Sequence, residues 1–394
     1  MAYQRFSVPR EIYCGWGAVE ALGRIEGKKA LVVTDKGMRS LGHVDKVEKI
    51  LGAKDIDTRV FDEVESDPSK ETVRKGFNLA REFAPDLIVG LGGGSSMDSG
   101  KAIWAFYENP DLMEVSWTDA VRELRGRKLR QKARYVAIAS TSGTGSEVTA
   151  VAMVTNRDVH PAVKNALFSD QFTPDVAIAD AEMASSMPPG VTADTGLDAL
   201  VHAVECYVYT EESDIVDPLA VRSARLVFEW LPKAVANGKD VSAREKMHLA
   251  SLLAGMAFAN GRLGLVHGTA HQLGAEFGVP HGRANALMLC YVFAYLFPTN
   301  GRRMAQLAGE LGIEVASERE AAQRLIDKLE DLKRQVGIPA SIKDTRIDEK
   351  TFMTEVDMLA VNARGARPDP EGHYVAAIRD IFLKAWEGTR IRLA

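Results

Sequence analysis

Cysteine is scarce in this chain, and the three present, Cys14, Cys206 and Cys290, lie far apart with no CxxC pair. That spacing excludes a disulfide framework and suits a reducing compartment, so a cytoplasmic protein is expected. Long apolar runs are missing as well. The strongest, residues 247–261, is shorter than the roughly 18 residues a spanning helix needs, so no membrane association is expected. The opening Met-Ala-Tyr-Gln-Arg-Phe-Ser has no apolar stretch behind a basic start, and no signal peptide is expected. Positive charge is not in excess: the formal net charge of −5 argues against a surface built for nucleic acid. One basic run, residues 122–134, reads as a solvated loop before a strand. No repeat, heptad array or low-complexity tract interrupts the chain.

What the chain does have is length and order. Its 394 residues exceed one ordinary core, which predicts two domains. The first half alternates short β-rich runs with helical stretches. Strands are predicted over residues 30–34, 58–61, 86–91, 135–139 and 176–179. Helices are predicted to about residue 51, from the Asp67-Pro68-Ser69 cap to about residue 83, and from the Gly92 run to about residue 107. Such alternation implies a parallel, doubly wound sheet. After Met187-Pro188-Pro189-Gly190 the strand pattern ends and Ala/Leu-rich helical runs take over. The prediction is an α/β domain over residues 1–184 and an all-α domain over residues 185–394.

Eight histidines are an ordinary number, but four of them share one region with an aspartate. Asp198 and His202 stand four residues apart in a helix-forming run, on one face. His267 and His271 repeat that spacing, and His281 follows in Val-Pro-His-Gly. Neutral imidazole with a carboxylate suits zinc and iron alike. Any one of these histidines alone reads as an ordinary hydrogen-bonded residue. Together, in Gly/Ala-rich helical surroundings, they would be buried polar groups lacking partners unless they bind a metal.

Three clusters in the first half suit a nucleotide. Gly92-Gly-Gly-Ser-Ser96 ends a strand and opens a helix, where backbone N–H groups and the helix dipole favour a pyrophosphate; a plain tight turn is the competing reading. Asp35 ends an earlier strand, where a carboxylate accepts from ribose hydroxyls and repels a 2′-phosphate, favouring NAD over NADP. It precedes the glycine run instead of following it by about 20 residues, so the layout is a variant one. Ser140-Thr-Ser-Gly-Thr-Gly-Ser-Glu147 ends the fourth strand and suits phosphate or ribose, or an ordinary Ser/Thr turn.

The chain resembles the iron-containing (group III) alcohol dehydrogenases of the lactaldehyde reductase and 1,3-propanediol dehydrogenase type. The pieces that carry the resemblance include Phe6-x-x-Pro-x-x-Ile-Tyr-x-Gly-x-Gly17, Gly92-Gly-Gly-Ser-Ser-Met-Asp-Ser-Gly-Lys101 and Thr141-Ser-Gly-Thr-Gly-Ser-Glu-Val-Thr149. Gly196-Leu-Asp-Ala-Leu-Val-His202, Gly264-Leu-Val-His-Gly-Thr-Ala-His271 and Pro280-His-Gly-x-x-Asn285 complete them. The resemblance implies a dehydroquinate synthase-like fold, an α/β nucleotide-binding domain and a helical metal-binding domain around a cleft. It implies reversible hydride transfer between NAD(H) and a small primary alcohol or aldehyde at a bound metal, Fe2+ first and zinc second, in a homodimer or higher homo-oligomer. The ligands would be Asp198, His202, His267 and His281. Cofactor contacts would come from Asp35, Asp67, Gly94, Ser95, Ser140, Thr141, Thr144, Met153 and Lys164. His271 would be the imidazole beside the nicotinamide that carries protons. Val151, Phe258, Arg262 and Asn362 would form the substrate pocket.

Three departures stand out. Asp67 occupies a position where relatives often carry Asn. The run Val361-Asn-Ala-Arg-Gly-Ala-Arg367 lacks the Cys-Thr-x-x-Asn-Pro-Arg pattern, with Asn362 in place of cysteine. Arg262 replaces a small residue and reads either as a surface salt bridge or as a bidentate anchor for an anionic aldehyde. The rival readings are a glycerol dehydrogenase or dehydroquinate synthase-like lyase of the same superfamily, and a non-catalytic NAD-binding module.

Overall fold

The computed structural model describes residues 5–158, 163–364 and 371–393; the segment 365–367 of the C-terminal run above lies outside them. Eight strands are present among these: β1 (Glu11–Gly15), β2 (Lys29–Val33), β3 (Asp57–Phe61), β4 (Leu87–Gly92), β5 (Arg134–Ala139), β6 (Val151–Asn156), β7 (Val163–Phe168) and β8 (Val176–Asp180). Six form one parallel sheet in the order β1-β8-β5-β4-β2-β3. The five strands expected from apolar runs are all in it. The sequence reading missed β1, a half-exposed edge strand held by β8 alone, and the antiparallel hairpin β6–β7.

The helices of the first half are α1 (Lys36–Ser40), α2 (His43–Gly52), α3 (Lys70–Phe83), α4 (Gly94–Glu108) and α5 (Trp117–Glu123). After β8 the described chain is helical: α6 (Pro189–Tyr209), α7 (Val216–Ala236), α8 (Val241–Asn260), α9 (Leu265–Phe277), α10 (His281–Glu310), α11 (Glu318–Gln335), α12 (Glu349–Ala363) and α13 (His373–Glu387). Among the described residues no single helix is long and apolar enough to cross a membrane.

The sheet order decides where a ligand can sit. β2, β4 and β5 are neighbours, so the turns after them, carrying Asp35, Gly93 and Ser140, line up along the carboxyl edge of the sheet. That edge is where doubly wound sheets bind ligands. α4 leaves β4 there and is buried on every side from Ser96 to Glu108, wedged between sheet, hairpin and α3. Its close seat needs glycine. A Cβ on Gly100 would lie 2.6 Å from the Tyr135 hydroxyl, and one on Gly90 would run into the same oxygen, which donates to Met97 O at 2.7 Å.

The helical half surrounds α6, which is buried over most of its length and packs on α7, α8 and α10. Pro189 at its first turn forgoes an amide that has no helical partner there. The start of α10 presses on α6 so closely that a Cβ on Gly282 would run into Asp194 O. A small apolar cluster of Val148, Ala177, Ala179 and Leu252 ties α8 to the sheet.

Gly90→Ala should therefore lower stability by about 1–3 kcal/mol through overpacking. Removing the hydroxyl it strikes, with Tyr135→Phe, should return part of that loss, so the double variant is expected to be more stable than the sum of the two single effects. Urea unfolding of the four proteins reads this, and strict additivity would contradict the packing described.

Candidate metal and nucleotide site

α6 delivers Asp198 and His202 one turn apart, α9 adds His267, and His281 opens α10. One donor atom from each of the four lies within 4.8 Å of all the others. Asp198 Oδ1 is 3.6 Å from His281 Nε2 and 4.0 Å from His202 Nε2. Burial pulls His202 down to about 4 and His281 down to about 3, so both are neutral at physiological pH, the form that ligates. His202 Nδ1 donates to the Gly143 carbonyl at 3.1 Å, leaving the Nε2 lone pair for the cluster. The donor chemistry fits a first-row divalent metal such as iron or zinc.

Polar neighbours support the four. Glu205, fully buried, reaches His267 Nδ1 at 2.5 Å and accepts the Val266 amide at 2.7 Å. The Asn285 amide donates to Asp198 Oδ1 at 2.8 Å and faces Nε2 of His267 and His281, each at 3.2 Å. Asn285 Oδ1 is buried with no hydrogen-bond partner, an open acceptor beside the cluster. Arg283 forks onto Asp194 through two bonds of 3.0 Å, clamping α10 to α6 one turn before Asp198. None of these was assigned a role from sequence. Glu205 three residues after His202 and Asn285 four after His281 share helical faces with ligands, which is the signal that could have found them.

His271, one turn beyond His267, stays outside the four. Its half-buried ring stacks on His281 with centroids 5.2 Å apart, and burial with the neighbouring imidazoles pushes its pKa well below the ordinary value. Phe258 stacks on His202 at 4.4 Å and walls the cluster.

Along the carboxyl edge of the sheet lies a cavity of about 960 Å³ lined by Asp35, residues 62–66, Gly93, Gly94, Ser95, Ser96, Ser140 and Thr141. Ser140 Oγ and Thr141 Oγ1 are shut off from solvent without a hydrogen-bond partner. Asp35 caps α1 through the Met38 amide and accepts from the Ser96 hydroxyl at 3.1 Å. Thr144 packs directly on Gly94, where a Cβ would come within 2.9 Å. Unpartnered hydroxyls and small residues at a helix N-terminus fit a dinucleotide's phosphates and ribose. Asp67, in the left-handed region at φ 53, pairs with Lys164 of β7. The Met153 amide donates to Asp98 of α4 at 3.0 Å.

Behind the cavity, Lys101 of α4 is fully buried, its ammonium enclosed by five oxygens of Ser146, Thr149 and Val151 at 2.7–3.0 Å. It fastens the loop after β5 to the helix after β4. Burial pulls this lysine down to about 8, and pushes Glu147 in the same loop up to about 7.

Two residues expected in the substrate pocket are exposed. Arg262 is exposed, its amide on Thr210 Oγ1, beside a separate recess of about 250 Å³ shared with Phe6, Glu211 and Ile215. Gly261 beside it packs closely against Cys206 and Thr210. Asn362 is exposed on α12. Val151, partly buried, spends its carbonyl on Lys101.

Glu147 generates a pH prediction. Its folded pKa lies above its ordinary 4.5, so the folded state holds a proton that the unfolded chain has lost. The stability this adds is complete below pH 4.5 and is lost as pH rises through about 7. At about 1.4 kcal/mol per unit the loss is at most about 3 kcal/mol. Glu147→Gln should flatten it, gaining on the parent between pH 5 and pH 8 in urea unfolding; parallel profiles would contradict the assignment.

A model of the "Fe-containing alcohol dehydrogenase family, C-terminal" matches residues 192–386, and one of "Iron-containing alcohol dehydrogenase" matches residues 9–181. The chain is 42% identical to the NADPH-dependent butanol dehydrogenase of Clostridium saccharobutylicum, over 98% of this chain and 99% of the relative. It is 35% identical to the NAD-dependent methanol dehydrogenase of Bacillus methanolicus, over 95% of this chain and 97% of that one. A crystal structure of a 1,3-propanediol oxidoreductase superposes with a TM-score of 0.86 at 35% identity, covering 97% of this chain and 100% of the other. With the metal-competent cluster and the dinucleotide-sized cavity, these likenesses assign the chain to the iron-containing alcohol dehydrogenase family.

Proposed function

We propose that this alcohol dehydrogenase moves a hydride reversibly between NAD(H) and a small, uncharged primary alcohol or aldehyde, with Fe2+ as the first-choice metal and zinc the second. The observation that carries the reading is the set of four convergent donors, Asp198, His202, His267 and His281, joined to the nucleotide cavity by one loop. Ser140 and Thr141 of that loop line the cavity, and Gly143 fixes His202.

A metal in the donor set supplies Lewis-acid polarisation of the substrate oxygen, and the nicotinamide gives or takes the hydride. The chain's residues do the rest. Gly94 and Ser95 offer backbone N–H groups to the pyrophosphate. Ser140, Thr141 and Thr144 take phosphate or ribose oxygens, and Asp67, Met153 and Lys164 contact the cofactor further along. Asp35 accepts from the adenosine ribose and repels a 2′-phosphate. His271, neutral and reaching solvent, relays the alcohol proton. Phe258, with Val151, bounds the substrate. The exposure of Arg262 supports an uncharged substrate over one with an anionic tail. The functional division near residue 184 belongs to the same proposal. Three free cysteines suit a cytoplasmic setting, and β1 at the sheet edge leaves a ladder face open for self-association into a homo-oligomer.

The direct test is NADH oxidation over a panel of neutral and anionic aldehydes, using protein stripped of metal and reloaded anaerobically with ferrous iron or zinc. Metal-dependent turnover of small neutral aldehydes is expected. Turnover that returns NAD unchanged would favour the lyase reading, and none at all the non-catalytic module. Cofactor choice has its own test, pointed by the NADPH-dependent relative. Asp35→Gly should raise the NADPH-to-NADH ratio of kcat/KM by about tenfold, roughly 1.4 kcal/mol. An unchanged ratio would remove Asp35 from cofactor discrimination.

A further inference from the structure

We infer that Glu205 is a positioning residue for the metal, holding His267 in the one tautomer able to ligate. The inference rests on the metal reading above and deepens it.

Glu205 follows His202 by less than one turn of α6, so one face of that helix presents Asp198, His202 and Glu205 in succession. Its carboxylate has no contact with solvent and splits its oxygens between two partners on α9. Oε1 accepts the Val266 amide, one of the first-turn amides without a helical acceptor, at 2.7 Å. Oε2 meets His267 Nδ1 at 2.5 Å. A carboxylate only accepts, so Nδ1 carries the proton and Nε2 keeps its lone pair. On the opposite edge of the same ring, Nε2 faces the Asn285 amide nitrogen at 3.2 Å, a group that has only protons to offer. The Glu205 edge selects the tautomer with its lone pair toward the cluster, and the Asn285 edge is compatible with it, the two amide protons being shared among Asp198, His267 and His281. Carboxylate–histidine–metal pairs of this kind orient a ligand and raise its basicity.

A purely structural role, capping α9 through Val266, predicts something different, and Glu205→Gln separates the two. The glutamine oxygen still accepts the Val266 amide, so the cap survives. Its NH2 must donate to His267 Nδ1, which drives the ring proton to Nε2, toward the metal.

The experiment uses full-length, metal-free protein labelled with 15N-histidine, with His267 assigned by signal loss in His267→Gln. Ring 15N shifts report the tautomer, and chelator competition with Zn2+ and Co2+ reports affinity. The expected result is Nδ1–H in the parent, Nε2–H in Glu205→Gln, and metal affinity lower by about 10–100-fold in the variant, with its metal-free Tm little changed. Glu205→Asp, which keeps an acceptor at shorter reach, should lose less. An Nε2–H ring in the parent, or Glu205→Gln binding metal within about threefold of the parent, would overturn the inference. Should Glu205→Gln fail to fold, the parent's tautomer and the affinity of Glu205→Asp decide it, equal affinity counting against. A parent with the Nδ1–H ring that binds no divalent metal would instead bring down the metal reading, because the tautomer measurement needs no metal.

Discussion

Asp198, His202 and His267 are buried where α6, α9 and α10 meet inside an apolar helical core, and polar groups in such a place are costly unless they are paired. The local architecture follows from that requirement. Gly143 and Glu205 each take an Nδ1 proton, and Asn285 reaches three of the four donor atoms from one amide. The helices can come this close because Gly282 has no Cβ to strike Asp194 and because Arg283 grips the same aspartate from α10. A shift of either helix would break several of these bonds together, which gives the cluster its rigidity.

The second organising contact lies across the molecule, in the loop after β5. This stretch lines the cavity at the carboxyl edge of the sheet with Ser140 and Thr141, holds His202 through Gly143, and links to α8 where Ser142 Oγ meets His248 Nδ1 at 2.9 Å. Lys101 adds a further hold, its ammonium gathering the loop's oxygens from behind. A buried lysine without a carboxylate in direct contact is costly. Here five oxygens replace its water shell, and the result is a wall shared by the cavity and the four-donor cluster. Hydride transfer demands that sharing, since the two reacting groups must approach within about 3–3.5 Å.

Much of this was legible in the sequence, for identifiable reasons. Strands buried on both faces announce themselves as apolar runs, so β2, β4, β5 and β8 could be read directly. β1 is short and half exposed, and the β6–β7 hairpin packs on α4 outside the main sheet, so neither follows the pattern of buried parallel strands. Asp198, His202, His267 and His281 stood out by helical spacing and by likeness to a family. Glu205 and Asn285 did not, because a carboxylate on a helix is usually solvated and nothing in the sequence tells which helix crosses above it. Arg262 could be read from sequence either as a surface residue or as a pocket residue, because spacing along the chain does not tell which way a side chain at a helix end faces; the structure leaves it exposed.

Metal binding as proposed needs four side chains from three helices to converge on one divalent ion. Anomalous diffraction from crystals of protein reloaded with ferrous iron or zinc, recorded at the matching absorption edge, tests it most directly. A single strong peak is expected about 2.0–2.2 Å from an Asp198 oxygen and from Nε2 of His202, His267 and His281. A loaded crystal with no peak there, or with its peak at another group of residues, would contradict it.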